Sequence, residues 1–180
     1  MGRRRRARTG SVGAVSGVWQ SWGGVLLVSA AGLPLAGLMV WALARAWPLR
    51  PVRYAVAEVA MVAGTVPWLW MILTPSPGTP RRLSLVPLRD LTQLAPADLV
   101  VQIGGNLLVF AALGFFLPIR FAARVPTVLA VAVAGSVTVE TLQYVLDLGR
   151  VSSVDDVFVN AAGAGLAAVC SLSTGLARRV

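Results

Sequence analysis

Five stretches of apolar residues, each closed off by Arg, Pro or Asp, take up most of this 180-residue chain. A helix needs about 20 mainly apolar residues to cross roughly 30 Å of hydrocarbon. Residues 25–44, 54–73, 99–119, 127–146 and 157–176 each meet that length. In lipid every backbone N–H and C=O must be satisfied internally, so a continuous window of this kind folds as a helix. Composition points the same way, because 57% hydrophobic and 13% charged residues leave too little polar material to cover a soluble fold. The expected fold is all-α: a polytopic integral membrane helix bundle of about five transmembrane helices over residues 25–180, with the lipid bilayer as its first partner.

The flanking segments read differently. Residues 1–24 are Arg-rich and then Gly/Ser-rich, a composition that buries little apolar area and predicts a mobile tail. Residues 74–98 carry Pro75, Pro77, Pro80 and Pro87, followed by a semi-apolar stretch. That stretch predicts a short helix on the membrane surface, with Leu85, Leu88 and Leu91 on one side and Arg82 and Arg89 towards the headgroups. The connections at 45–53, 120–125 and 178–180 hold 7 Arg against 4 in the opposite connections, which favours a cytoplasmic C-terminus in a multi-pass cell-membrane protein. The five Arg of the tail pull the other way.

All 16 basic residues are Arg, and there is no His. Walker lysines, Schiff-base lysines, Ser-His-Asp triads and imidazole metal ligands are therefore excluded. The Arg residues punctuate apolar segments and form no face with interleaved aromatics, so the net charge of +9 predicts membrane-flanking cations and no nucleic acid. The single Cys170 provides neither a disulfide framework nor a thiolate metal site. No cofactor and no resident metal are expected.

Polar groups inside apolar spans are costly and usually face the bundle interior or a wet cavity. In the third span Gln102 and Asn106 are four apart on one helix face; in the fourth, Glu140 and Gln143 are three apart, with Ser136 one turn earlier. In the fifth, Asp156 and Asn160 are four apart, with Gly163 next on that side. Three successive spans thus each carry a polar stripe. Structural roles compete at several positions. Asn106, Gln143 and Asn160 can serve as interhelical glue, and Gly114, Ala161, Gly163, Gly165 and Ala167 as sites of close helix packing. Ser152 to Asp155 and Ser153 to Asp156 read as capping boxes.

Glu140 lies about two turns inside its expected span, where neither a helix terminus nor bulk water accounts for it. Arg150 is the nearest cation in sequence to Glu140, Asp147, Asp155 and Asp156. It fits two roles, counter-ion of the cluster or clamp for a phosphate or carboxylate. Glu58, near Arg53, reads as an interfacial ion pair, and Trp19, Trp22, Trp41, Trp47, Trp68 and Trp70 as belt anchors.

The same residues carry a family resemblance. NLLVFAALGFFLPIRF (Asn106 to Phe121), SVTVETLQYVLDLGR (Ser136 to Arg150) and VDDVFVNAAGAG (Val154 to Gly165) resemble the VanZ-like membrane family in order and spacing, over a region of about 54–176. LSLVPLRDL (Leu83 to Leu91) and LTPSP (Leu73 to Pro77) are similar to the segments that precede them. The chain departs from the family pattern at Ala112, usually Pro, at Ser84 and Leu88, usually Asn and an aromatic, and at Ser153, usually Asp. The resemblance implies a bacterial cell-envelope protein linked to glycopeptide resistance, teicoplanin above all. Its recurrent residues fall here on Asn106, Gly114, Glu140, Gln143, Arg150, Asp155, Asp156, Asn160 and Gly163.

The expected site is a polar intramembrane pocket of Asn106, Glu140, Gln143, Arg150, Asp155, Asp156 and Asn160, taking a cell-wall precursor or glycopeptide-related ligand, with Gly114, Gly163 and Gly165 as packing positions. An enzymatic version would set Arg150 on a lipid phosphate with Glu140 as acid, or hold Mg²⁺ between two of the four acids. Competing readings are a proton-coupled transporter, which five spans without an internal repeat would require to be a homo-oligomer, and a structural partner in envelope assembly.

Overall fold

The computed structural model describes residues 6–76 and 81–176 of the chain. It is a helix bundle. Helix α1 covers Arg6–Ala46, α2 Val52–Leu73, α3 Arg89–Thr92, α4 Pro96–Val109, α5 Ala111–Phe121, α6 Val125–Val145 and α7 Val154–Ser173; two three-residue strands, β1 (Arg82–Ser84) and β2 (Val151–Ser153), complete the order. Five helical segments are long and apolar enough to cross a membrane: Trp22–Ala46, Val52–Leu73, Asp98–Phe121, Val125–Val145 and Val154–Ser173. Each boundary lies within three residues of its expected position. Helix α1 also takes in residues 6–24, assigned above to the tail, and its first proline is Pro34.

Side-chain size is inverted relative to a soluble core. Ala132, Ala161, Ala164 and Ala168 pack with Val109, Phe110, Val128 and Val139 in the interior, while Leu33, Leu35, Trp41, Val62, Leu166 and Val169 point outwards. Lipid tails are as apolar as leucine, so helices associate through close packing and not through expulsion of large apolar side chains from the surround. The small residues therefore collect where backbones meet. An added Cβ at Gly163 would stand 2.1 Å from the Leu107 carbonyl oxygen, and one at Gly114 would stand 2.2 Å from that of Ala164. At Gly165 the neighbour is the Leu129 side chain, at 2.9 Å.

The third span is broken between α4 and α5. Phe110 has φ −113° and ψ 12°, outside the helical well, although the Gly114 amide still donates to its carbonyl at 2.8 Å. The break sits two residues before Ala112, so it forms here without a proline beside it. The Leu107–Gly163 and Gly114–Ala164 approaches on either side hold both half-helices against α7.

The long connection departs from the surface helix expected of it. Strand β1 pairs in parallel with β2, Arg82 opposite Val151 and Ser84 opposite Ser153, and only Arg89–Thr92 is helical. Arg82 turns from the headgroup side to pair with Asp90 at 2.7 Å. Backbone pairing with a partner strand satisfies the connection's polar groups better than a helix in a proline-rich segment, where each proline lacks an N–H.

Candidate functional site

The strand pair seats the long connection over the ends of α4, α6 and α7, and a cavity of about 840 Å³ lies beneath it. Asn106, Glu140, Gln143, Arg150, Asp155, Asp156 and Asn160 all line this space. Asp147 does not; it is exposed in the turn after α6 with φ +48°. The polar stripes of three spans thus converge at one end of the bundle.

Helix α7 begins where Ser153 accepts the Asp155 amide at 3.2 Å, an N-cap bond to the second helical residue in place of the Ser153 to Asp156 box expected there. The reciprocal half of the box is replaced as well. Asp156 reaches away, its Oδ1 accepting from Gln102 Nε2 at 2.9 Å and Asn106 Nδ2 at 2.5 Å. The Ser153 amide donates instead to Glu140 Oε2 at 2.8 Å, and the Ser152 hydroxyl donates to the Glu140 carbonyl at 2.9 Å. Glu140 therefore has a partner: it completes the cap of a neighbouring helix. Asp155 Oδ1 accepts from the Leu88 amide at 2.5 Å, so its carboxyl tethers the long connection in addition to standing in the first turn.

Gln143 and Asn160 make the interhelical bonds expected of glue: Gln143 Nε2 donates to the Ile72 carbonyl at 2.9 Å, and Asn160 Nδ2 to the Ser136 hydroxyl at 2.7 Å. Arg150 also makes bonds that its sequence context did not show. Its Nη2 donates to the Met71 carbonyl at 3.2 Å and its Nε to the Thr74 carbonyl at 3.4 Å, so it caps the C-terminal end of α2. Burial pushes its guanidinium down from the ordinary value, and Asp156 and Glu140 pull it back up.

Asp90, Arg82, Ser153, Gln102 and Trp22 also line the cavity. Asp90 was the least visible, since it sits in the connection among residues whose apolar pattern reads as amphipathic helix. Its Oδ2 accepts from the Ser153 hydroxyl at 2.8 Å. Burial raises the Asp90 carboxyl, but hydrogen bonds from Ser84 and Ser153 and the charges of Arg82 and Arg89 outweigh it and hold it below the usual value. Trp22 packs edge-on to Trp68, with ring centroids 6.0 Å apart, and lies against Gly104 and Gly105. These two rings serve helix packing at the cavity, whereas Trp19, Trp41, Trp47 and Trp70 are exposed.

At the opposite end of the bundle Glu58 pairs with Arg50 at 2.7 Å and with Arg120. Arg120 comes from α5 and is invisible to a reading based on neighbours in sequence. Among the described residues no three acidic or thiol groups are arranged to hold a metal ion.

The architecture defines a class: a multi-pass membrane protein whose polar side chains from three spans meet at one end, under a strapped connection. The chain matches the VanZ/LLP1 family model over residues 61–175 and belongs to that family. No curated protein and no solved structure matches it.

Proposed function

We propose that this VanZ/LLP1-family protein acts in the bacterial cell envelope and contributes to resistance against glycopeptides, teicoplanin above all, by binding an envelope component or glycopeptide-related ligand in its cavity. The observation that carries the reading is the convergence of Asn106, Glu140, Gln143, Arg150, Asp155, Asp156 and Asn160 on one space of about 840 Å³. That volume falls within the usual range for small-molecule sites, roughly 300–1,000 Å³. The resemblance to VanZ-like proteins supplies the phenotype. The Arg distribution supports a cavity that opens on the outer side, where glycopeptides and their targets are found.

The test is teicoplanin and vancomycin susceptibility in a host expressing wild type, Glu140→Gln or Asp156→Asn at matched membrane levels. Teicoplanin-selective protection that disappears in both variants supports the reading. Equal susceptibility in all three removes it.

A structural role in envelope assembly is the second reading, favoured by the bonds of Gln143 to Ile72 and Asn160 to Ser136, which join neighbouring helices. It predicts that the same variants lower membrane yield or disrupt a complex without a separable loss of protection.

A further inference from the structure

The cavity holds more hydrogen-bond acceptors than the protein fills. Asp155 is 1% exposed and Asn160 2% exposed, and among the described residues neither Asp155 Oδ2 nor Asn160 Oδ1 has a hydrogen-bond partner. Both residues line the cavity. Among the described residues, Glu140 and Asp156 each accept side-chain or backbone hydrogen bonds through a single oxygen, Oε2 and Oδ1. A buried acceptor left without a donor is destabilising, so a donor-rich group against a wall of this composition is stabilising.

The charges narrow the choice. Four carboxyls line the space with two guanidiniums, and Arg82 is already paired with Asp90. Among the described lining residues Arg150 is the remaining guanidinium, and it interacts with Glu140 and Asp156, so three carboxyls share one cation and a positive group complements them. A metal ion is a poor fit, since no three acidic groups among the described residues converge on one point. A primary ammonium supplies both a charge and three N–H donors, whereas a quaternary ammonium supplies the charge with no donor.

Arg150 adds an anion site beside this acceptor wall. Two of its nitrogens bind the α2 carbonyls, and Nη1 has no hydrogen bond to the described residues. A guanidinium held in this way presents its remaining N–H groups to an oxyanion in fixed geometry.

The lining also has apolar members, Trp22, Leu91, Leu94 and Val101, beside polar Ser76 and Gln93. The connection above exposes Leu83 and Leu85 at 50% and 69% at the same end of the bundle.

We propose that the cavity receives an aminophospholipid headgroup, with its primary ammonium against Glu140, Asp155 and Asp156, its phosphate on Arg150 and its acyl chains along the apolar lining residues. The proposal deepens the reading above and rests on the cavity being a ligand site.

The experiment is native mass spectrometry of the purified full chain with equimolar phosphatidylethanolamine, phosphatidylcholine and phosphatidylglycerol. Phosphatidylethanolamine is expected to be retained about tenfold over the other two, since only it combines N–H donors with a phosphate. Equal retention of phosphatidylcholine overturns the proposal, because N–H donors would then be irrelevant. Preferential retention of phosphatidylglycerol overturns it as well. This comparison uses the unmodified chain and so is independent of how any variant folds.

The double variant Glu140→Gln, Asp156→Asn is expected to lose the preference, while Glu58→Gln, at the other end of the bundle, keeps it. A double variant that retains the wild-type preference overturns the assignment of the ammonium to these acids. Soluble phosphoethanolamine separates two sources of the headgroup. Competition by it means that the headgroup alone is recognised, and resistance to it means that the acyl chains are needed. Intact phosphatidylethanolamine preference without teicoplanin protection defeats the resistance reading alone. Protection without lipid preference defeats only this proposal.

Discussion

The carboxylate of Asp155 and the backbone amide of Leu88, 67 residues apart in sequence, are joined by a hydrogen bond of 2.5 Å. Leu88 is held there at φ +63° and ψ 0°, in the left-handed region that a branched side chain ordinarily avoids. The tether fixes the connection over the cavity and sets a strained residue at its apex.

Asp155→Ala removes the acceptor for that amide and is expected to destabilise the fold by about 1–3 kcal/mol. Asp155→Asn keeps an acceptor oxygen and should cost less. Leu88→Gly keeps the amide and relieves the strain, so its thermal midpoint in detergent is expected to equal or exceed that of wild type. A midpoint for Leu88→Gly well below wild type would show that the Leu88 side chain contributes through packing, despite its exposure.

Gly163→Ala and Gly114→Ala place a methyl group 2.1 Å and 2.2 Å from backbone oxygens of neighbouring helices. Backbone moves less readily than a side-chain tip, and overpacking of this sort costs typically about 1–3 kcal/mol. Both variants should show a lower thermal midpoint and poorer monodispersity. Gly37→Ala is the matched control, because nothing lies within 4 Å of its added carbon, and it should be neutral or mildly stabilising.

Asp90 makes the connection sensitive to acid. Its carboxyl titrates below the ordinary aspartate value, so it favours the folded connection at every pH above about 4, and that contribution is lost as pH falls through the lower folded value. Protection from hydrogen exchange over residues 82–92, taken relative to the intrinsic rate at each pH, should be high at pH 7 and fall as the pH is taken below about 4. Asp90→Asn should exchange faster at neutral pH and lose most of that acid dependence. An identical profile for the two proteins would show that Asp90 does not control the connection.

Orientation can be read by labelling. In a Cys170→Ser background, a cysteine at Gly149 is expected to react with a membrane-impermeant maleimide applied to intact cells, and one at Arg124 only after permeabilisation. The reverse result would put the cavity on the cytoplasmic side and the three Arg-rich connections outside.

Much of the architecture was legible before any packing was known. The five windows matched the observed spans to within three residues, and the stripes containing Asn106, Glu140 and Asp156 were assigned to helix faces that do meet. Gly114 and Gly163 were expected at close helix contacts, and both stand against backbone. The connection was less legible. Its Leu85, Leu88 and Leu91 spacing imitates an amphipathic helix, while the pairing of Arg82 with Val151 leaves no local pattern in either segment. Arg150 stands near the acids in sequence, but the acceptors of its hydrogen bonds are carbonyls more than 70 residues away. Glu58 gained Arg120 from another span in the same way.

The sequence alone determined where the chain crosses the membrane, because the cost of exposing backbone amides and carbonyls to hydrocarbon is decided locally, over each window of about 20 residues. It also determined which face of each helix is polar, a matter of helical periodicity. Which polar groups meet was decided only by the tertiary structure. That outcome depends on the rotation of each helix about its axis, on the close approaches at Gly114 and Gly163, and on two short strands far apart in the chain, none of which is encoded by neighbouring residues.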